Sequence, residues 1–144
     1  MADQKQSSDF DDMVTELQRQ ITEQERAIYS DKVIQEAHHP SNLGRMPEPD
    51  TRAVVRGWCG DTMEIYLRLE GQKIQEATFM TDGCGPSVAC GSTLTQMIQG
   101  LSLDQASQIR PEDLLETLGG LPEDSVHCAE LTVNTLQEAL AKQP

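Results

Sequence analysis

An α+β fold is predicted for this chain by three observations: one stretch of strictly alternating residues, helical periodicity on both sides of it, and turn residues at the joints. Met63, Ile65, Leu67 and Leu69 alternate with Glu64, Tyr66, Arg68 and Glu70, the period of two expected of a half-buried strand. Ahead of that stretch, Phe10, Met13, Leu17 and Ile21 recur at spacings of three and four, which marks one helical stripe. After Cys84 the period changes back, with Val88, Leu94, Met97 and Ile98 on one apolar face. The expected order is an N-terminal helix, a three-stranded antiparallel sheet, then several helices packed on one side of the sheet.

Taken in order, residues 1–8 are polar and expected to be disordered. A helix follows from Asp9 to about Ala27, capped by Ser8 or Asp9, with Asp11 and Asp12 in its first turn. Its narrow apolar stripe either packs on the domain or offers a docking helix. A second helical piece runs from Tyr29 to about Glu36 and is ended by Pro40. The segment from His39 to Asp50 reads as loop by its Pro, Gly, Asn and Asp content, and His38 and His39 are expected to face solvent there. Ala53–Arg56 forms the first strand and the alternating stretch the second. Glu70-Gly71-Gln72 turns the chain, and Lys73 to Thr81 returns it with Ile74, Ala77 and Phe79. Pro86 suits the first turn of a helix that runs to Gly100. Shorter helices follow around Leu103–Gln108 and Pro111–Leu118. Gly119-Gly120-Leu121-Pro122 then breaks the chain before a last helix from about Ser125 to Ala141, with Leu131, Leu136 and Leu140 on its buried side.

A length of 144 residues accommodates one domain with a real core, and with aromatics at only 3% that core rests on Leu, Ile, Val, Met and Ala. The formal charge of −13 argues against nucleic-acid binding, which leaves a basic footprint, and suits partners that carry basic patches. No stretch approaches the roughly 18 apolar residues of a membrane span. Met1 to Gln6 shows no signal-peptide pattern, so a cytoplasmic location is the default expectation. Thiols stay reduced there, and four cysteines between Cys59 and Cys128 read as metal or sulfur chemistry before disulfides.

Three peptides carry that chemistry: Gly57-Trp58-Cys59-Gly60-Asp61, Gly83-Cys84-Gly85-Pro86 and Val126-His127-Cys128. Cys84 lies just ahead of a helix N-terminus, whose free N–H groups and dipole favour thiolate over thiol. Gly83 and Gly85 allow torsions closed to other residues and leave the sulfur uncovered. Cys128 lies in the first turn of the last helix, where the same electrostatic argument favours its thiolate. Asp61 is two residues from Cys59 in a glycine-containing loop, so both side chains can face one point. Adjacent helical residues diverge by about 100°, yet in a first turn His127 and Cys128 can both reach one metal. Cys90, beside Ala89 and Gly91 inside a helix, is expected to pack as a small hydrophobe. The absence of a Cys-x-x-Cys pair counts against a purely structural zinc site. Soft thiolates with imidazole bind iron, zinc or an iron–sulfur cluster, and all three stay open on this argument.

With these residues in place the chain resembles the IscU-type iron–sulfur cluster assembly scaffolds, the family that includes the N-terminal domain of NifU. The similarity runs from Tyr29-Ser30-Asp31-Lys32-Val33-Ile34 through Pro40-x-Asn42-x-Gly44, Cys59-Gly60-Asp61, Gly83-Cys84-Gly85 and Gly100-x-Ser102-Leu103-Asp104 to Gly120-Leu121-Pro122 and His127-Cys128. It divides the chain into an extension with an acidic amphipathic helix over 1–28 and an IscU-like domain over 29–144. The resemblance implies a scaffold or carrier, not a turnover enzyme, on which iron and sulfide form a [2Fe-2S] cluster that is passed to acceptor apoproteins. It implies Cys59, Cys84 and Cys128 as cysteine ligands, and Asp61 and His127 as exchangeable or alternative ones. It makes Cys128 the acceptor of persulfide sulfur from a pyridoxal-phosphate cysteine desulfurase, with a ferredoxin-type electron donor, and zinc as an occupant of the cluster-free site. Ser125 stands where the family's Leu-Pro-Pro-x-Lys motif has lysine, which leaves transfer by a dedicated Hsp70 chaperone in question. The alternative is a zinc-dependent sulfurtransferase of the SufU kind. It is disfavoured by His127 before the last cysteine and by the lack of an insertion between Gly100 and Cys128.

Overall fold

The computed structural model describes residues 2–143. Its elements are α1 (Ala2–Ile28), α2 (Asp31–His38), β1 (Thr51–Arg56), β2 (Thr62–Glu70), β3 (Lys73–Thr81), α3 (Gly85–Ile98), α4 (Leu103–Ser107), α5 (Pro111–Leu118) and α6 (Val126–Ala141). A single 3-10 turn, Glu123–Ser125, leads into α6.

The alternation in the middle of the chain produces what it predicts. Met63, Ile65 and Leu67 are buried, with Ile65 opposite Phe79 and Leu67 opposite Ala77 of the next strand, in an antiparallel meander ordered β1-β2-β3. Leu94 and Ile98 of α3, Leu114 and Leu118 of α5 and Leu136 of α6 close the core from one side. The Thr51 hydroxyl donates to the Ala139 carbonyl at 2.7 Å and pins α6 to the edge strand β1. β1 begins two residues earlier than expected, because Thr51 and Arg52 continue the ladder opposite Leu67 and Tyr66.

The outer face departs from the simple alternation. Tyr66, expected on the polar face, is buried together with Met46, because the 39–50 loop folds over that side. The same loop joins the free edge of β3, where the Phe79 N–H donates to the Asn42 carbonyl and the Gly44 N–H to the Phe79 carbonyl. An exposed edge strand is thereby covered.

Two expectations at the N-terminus are corrected. Helix α1 starts at Ala2, so the predicted disorder over residues 2–8 and the cap at Ser8 or Asp9 do not hold; Met1 lies outside the described residues. Ala2, Gln4, Lys5 and Gln6 are good helix formers, and no Gly or Pro separates them from the amphipathic stretch. Phe10, Met13, Leu17 and Ile21 are all exposed, so this stripe is not laid on the domain. A Glu25 carboxylate contact to His38 Nε2, at 2.9 Å, ties the end of α1 to α2.

Helix α2 starts two residues later than expected, where Ser30 accepts from the Val33 N–H at 3.1 Å as its N-cap and donates to the Leu118 carbonyl. It also reaches two residues further, ending at His38. Its buried Glu36 is satisfied by Lys32 at 2.8 Å, by Gln96 at 2.8 Å and by the Ser92 hydroxyl. Burial raises the Glu36 pKa, but these three donors outweigh it and hold the carboxyl below its ordinary value. That network clamps α2 onto α3, the helix that begins at Cys84. No helix among the described residues is long and apolar enough to cross a membrane.

Candidate metal centre

Three junctions meet at one end of the sheet. The β1–β2 connection is short and closed, with the Gly57 N–H donating to the Asp61 carbonyl at 2.8 Å and Gly60 at φ +97. That left-handed torsion is open to glycine without strain, and it lets Cys59 and Asp61 point the same way. The β3–α3 junction is tied alongside: Asp82 accepts from the Thr62 N–H at 2.7 Å, and the Thr81 hydroxyl donates to the Thr62 carbonyl at 2.7 Å. The 3-10 turn then delivers the first turn of α6, carrying His127 and Cys128, to the same place.

Of the predicted residues, Cys59, Asp61 and His127 come together, each offering a ligand atom within 4.8 Å of the others. Cys128 Sγ lies 3.8 Å from His127 Nε2, so adjacent helix positions do reach one locus. Tetrahedral coordination with bonds of about 2.0–2.3 Å separates neighbouring ligand atoms by about 3.3–3.8 Å, so these donors fit a thiophilic metal with small adjustments. Cys84 is the N-cap residue of α3 and exposed; it stands outside the three-residue group, close enough for its charge to act on Cys128. His38 and His39 are exposed and take no part.

Two physical reasons assigned from sequence are overturned. Cys128 was expected to favour thiolate at a helix N-terminus, yet it is only 3% exposed. Burial raises its pKa, the Ser87 hydrogen bond lowers it, and the charges of Cys84, Asp61 and Cys59 raise it further, for a net shift upward. Gly83 and Gly85 do not have left-handed torsions. Gly83 is there for space: a Cβ built on it would lie 2.5 Å from Ser87 Oγ and 3.0 Å from Asp61 Oδ2. Accordingly, Gly83→Ala should leave the fold intact and cut metal or cluster retention about ten-fold, read as bound metal after desalting, because the methyl drives Asp61 and Ser87 apart. Full retention in that variant would refute the tight approach. Cys90 is fully buried in the core, as expected, and burial drives its pKa strongly upward.

Two neighbours of the site carried no role in the sequence reading. Trp58, 84% exposed, holds its ring 5.1 Å from that of His127 at a tilt of 55°. Ser87, buried on α3, donates to Cys128 Sγ at 3.4 Å. A hydroxyl residue three places past Cys84, in the first turn of α3, was the only signal for it, and Ser92, Thr93, Thr95 and Gln96 further along the same helix made it indistinct.

The sequence model described as NifU-like N terminal domain matches residues 28–144. The chain belongs to that family. All five predicted site residues fall within the match, whereas α1 lies almost wholly outside it. The chain is 34% identical over 114 residues to "Iron-sulfur cluster assembly scaffold protein IscU 1" of Archaeoglobus fulgidus, covering 78% of this chain and 74% of that one. It is also 34% identical over 118 residues to the "Iron-sulfur cluster assembly scaffold protein IscU" of Haemophilus influenzae, covering 78% of this chain and 93% of that one. Among solved structures, a nitrogen-fixing NifU-like protein (N-terminal) from Brucella abortus shares the fold with a TM-score of 0.62 at 20% identity, over 79% of this chain and 92% of that one.

Proposed function

We propose that the chain is a scaffold on which iron and desulfurase-derived sulfur are combined into a [2Fe-2S] cluster, which it then transfers to acceptor proteins. The observation that carries this reading is the approach of Cys59, Asp61 and His127 within 4.8 Å at the end of a NifU-like domain, with Cys128 beside them. The cluster is cargo. Cys59, Cys84 and Cys128 supply thiolate sulfur, which matches the softness of iron–sulfur units. Asp61 and His127 supply exchangeable ligands, and the hard carboxylate makes the bound state labile, as a carrier requires. The 29–144 region is the scaffold unit, and the acidic 1–28 segment is an extension to it.

Sulfur arrives by persulfide exchange with a cysteine desulfurase. The Cys128 thiolate attacks the outer sulfur of the donor persulfide, the donor S–S bond breaks, a new S–S bond forms on Cys128, and the donor leaves as thiolate. Each transferred sulfur atom then needs two electrons to become sulfide, for which a ferredoxin-type donor is the proposed source. The same ligand set suits zinc, the proposed occupant of the cluster-free site. The proposed setting is the cytoplasm, where thiols stay reduced. The role is that of carrier, without catalytic turnover of its own.

Anaerobic incubation of the full chain with ferrous iron, cysteine, a desulfurase and dithiothreitol as electron donor tests this reading. The expected result is the visible absorption of a [2Fe-2S] chromophore with acid-labile sulfide in equal amount to iron. Persistence of stoichiometric zinc alone, with Cys128 carrying persulfide and no cluster, would establish the sulfurtransferase alternative instead.

A further inference from the structure

Serine and threonine hydroxyls inside helices usually return to the backbone carbonyl one turn earlier. Thr95, Thr132 and Thr135 do so here, donating to Gly91, Cys128 and Leu131 at 2.8, 2.7 and 2.7 Å. Ser87 does not. Its hydroxyl, with no exposure to solvent, donates 3.4 Å across to α6, to the sulfur of Cys128. The approach is built from both sides. The missing side chain of Gly83 leaves the notch that the Ser87 hydroxyl fills, with the Asp61 carboxylate on the same notch. Cys128 is itself buried, so little water is available to solvate its sulfur.

We propose that Ser87 is a positioning residue for Cys128, its hydroxyl fixing the direction of the sulfur and stabilising negative charge there. The inference rests on the reading of Cys128 as a sulfur ligand. A hydrogen bond to a ligating thiolate withdraws charge from the sulfur, which raises the energy of sulfur-to-metal charge transfer and orients the ligand. Ser87 thus does for Cys128 what Cys59 and Cys84, both exposed, obtain from solvent.

Cobalt(II) alone serves as the probe, because its charge-transfer band reports on thiolate ligands without any cluster assembly. In Ser87→Ala the band should move to longer wavelength, and cobalt affinity should fall by roughly ten-fold, the usual consequence of losing a group that supports a metal ligand. The melting temperature, measured in parallel, should stay close to that of the parent, since alanine fits the same buried space. In a Cys128→Ala background the same serine change should move neither band nor affinity, because the hydroxyl acts only through that sulfur. An unmoved band in Ser87→Ala, or an equal shift without Cys128, overturns the proposal. Failure of the parent chain to bind cobalt removes the metal-site reading itself, and this inference with it.

Discussion

Gly91→Ala should lower the melting temperature by about 10 °C, equivalent to about 3 kcal/mol of overpacking in a chain of this size. The direction runs against helix propensity, which favours alanine over glycine by about 1 kcal/mol in a helix interior. Sterics decide it. A Cβ built at Gly91 would lie 2.7 Å from Phe79 Cγ, and closer still to Cδ2 and Cε2 of the same ring. Phe79 is fully buried in the middle of β3, hydrogen-bonded on one edge to the 39–50 loop and paired on the other with Ile65, so the ring cannot swing aside. Helix α3 must then lift off the sheet. A shared Phe79→Leu change should recover much of the loss by vacating the ring's volume. Equal or raised stability of Gly91→Ala in thermal denaturation would show that α3 does not lie this close to β3.

That contact also links packing to the site. Helix α3 carries Cys84 at its N-cap and Ser87 in its first turn, so its seat on β3 sets where both lie relative to Cys128. Small residues along α3, namely Gly85, Ala89, Gly91 and Ser92, make the close approach feasible. From sequence Gly85 reads as backbone freedom beside Cys84, and Ala89 and Gly91 as the small surroundings of Cys90, with nothing to mark a close approach to β3. Close approach is a property of two elements together, and neither segment announces it alone.

Much of the rest was legible for a local reason. The period-two pattern of Met63, Ile65 and Leu67 needs only the strand itself to be interpreted, and glycine at Gly71 marks the turn between β2 and β3 with φ +61. Two of the three site peptides were recognisable because Cys59 and Cys84, beside glycine at element ends and exposed, have little packing use; the third stood out by the His127-Cys128 pair. What stayed hidden depends on tertiary burial. Tyr66 is covered by a loop whose path no local pattern encodes. Cys128 sits at a helix start, which favours thiolate, yet desolvation outweighs that advantage once α3 covers it. Gly83 was read for backbone freedom, whereas its use is the absence of a side chain against Asp61 and Ser87.

Asp61→Ala should lengthen the life of an assembled cluster several-fold in anaerobic transfer assays, measured as decay of visible absorption with an apo-acceptor present. The proposed ligand set has three thiolates and one position that Asp61 and His127 can each fill. Carboxylate oxygen is a hard donor and holds a soft iron–sulfur unit less firmly than imidazole does. With Asp61 present, its bond is the weakest of the set, and exchange with an incoming thiolate begins there. Without it, the His127 ring nitrogen, which already lies within 4.8 Å of Cys59 and 3.8 Å of Cys128 Sγ, takes the position alone. The loop survives the change, because its closing bond uses the backbone carbonyl of Asp61 and not its side chain. Removing His127 as well should reverse the effect and give rapid loss, since no fourth ligand then remains. Faster decay in Asp61→Ala alone would mean that the carboxylate secures the cluster, and lability would have to arise at Cys84, the exposed thiol outside the tight group.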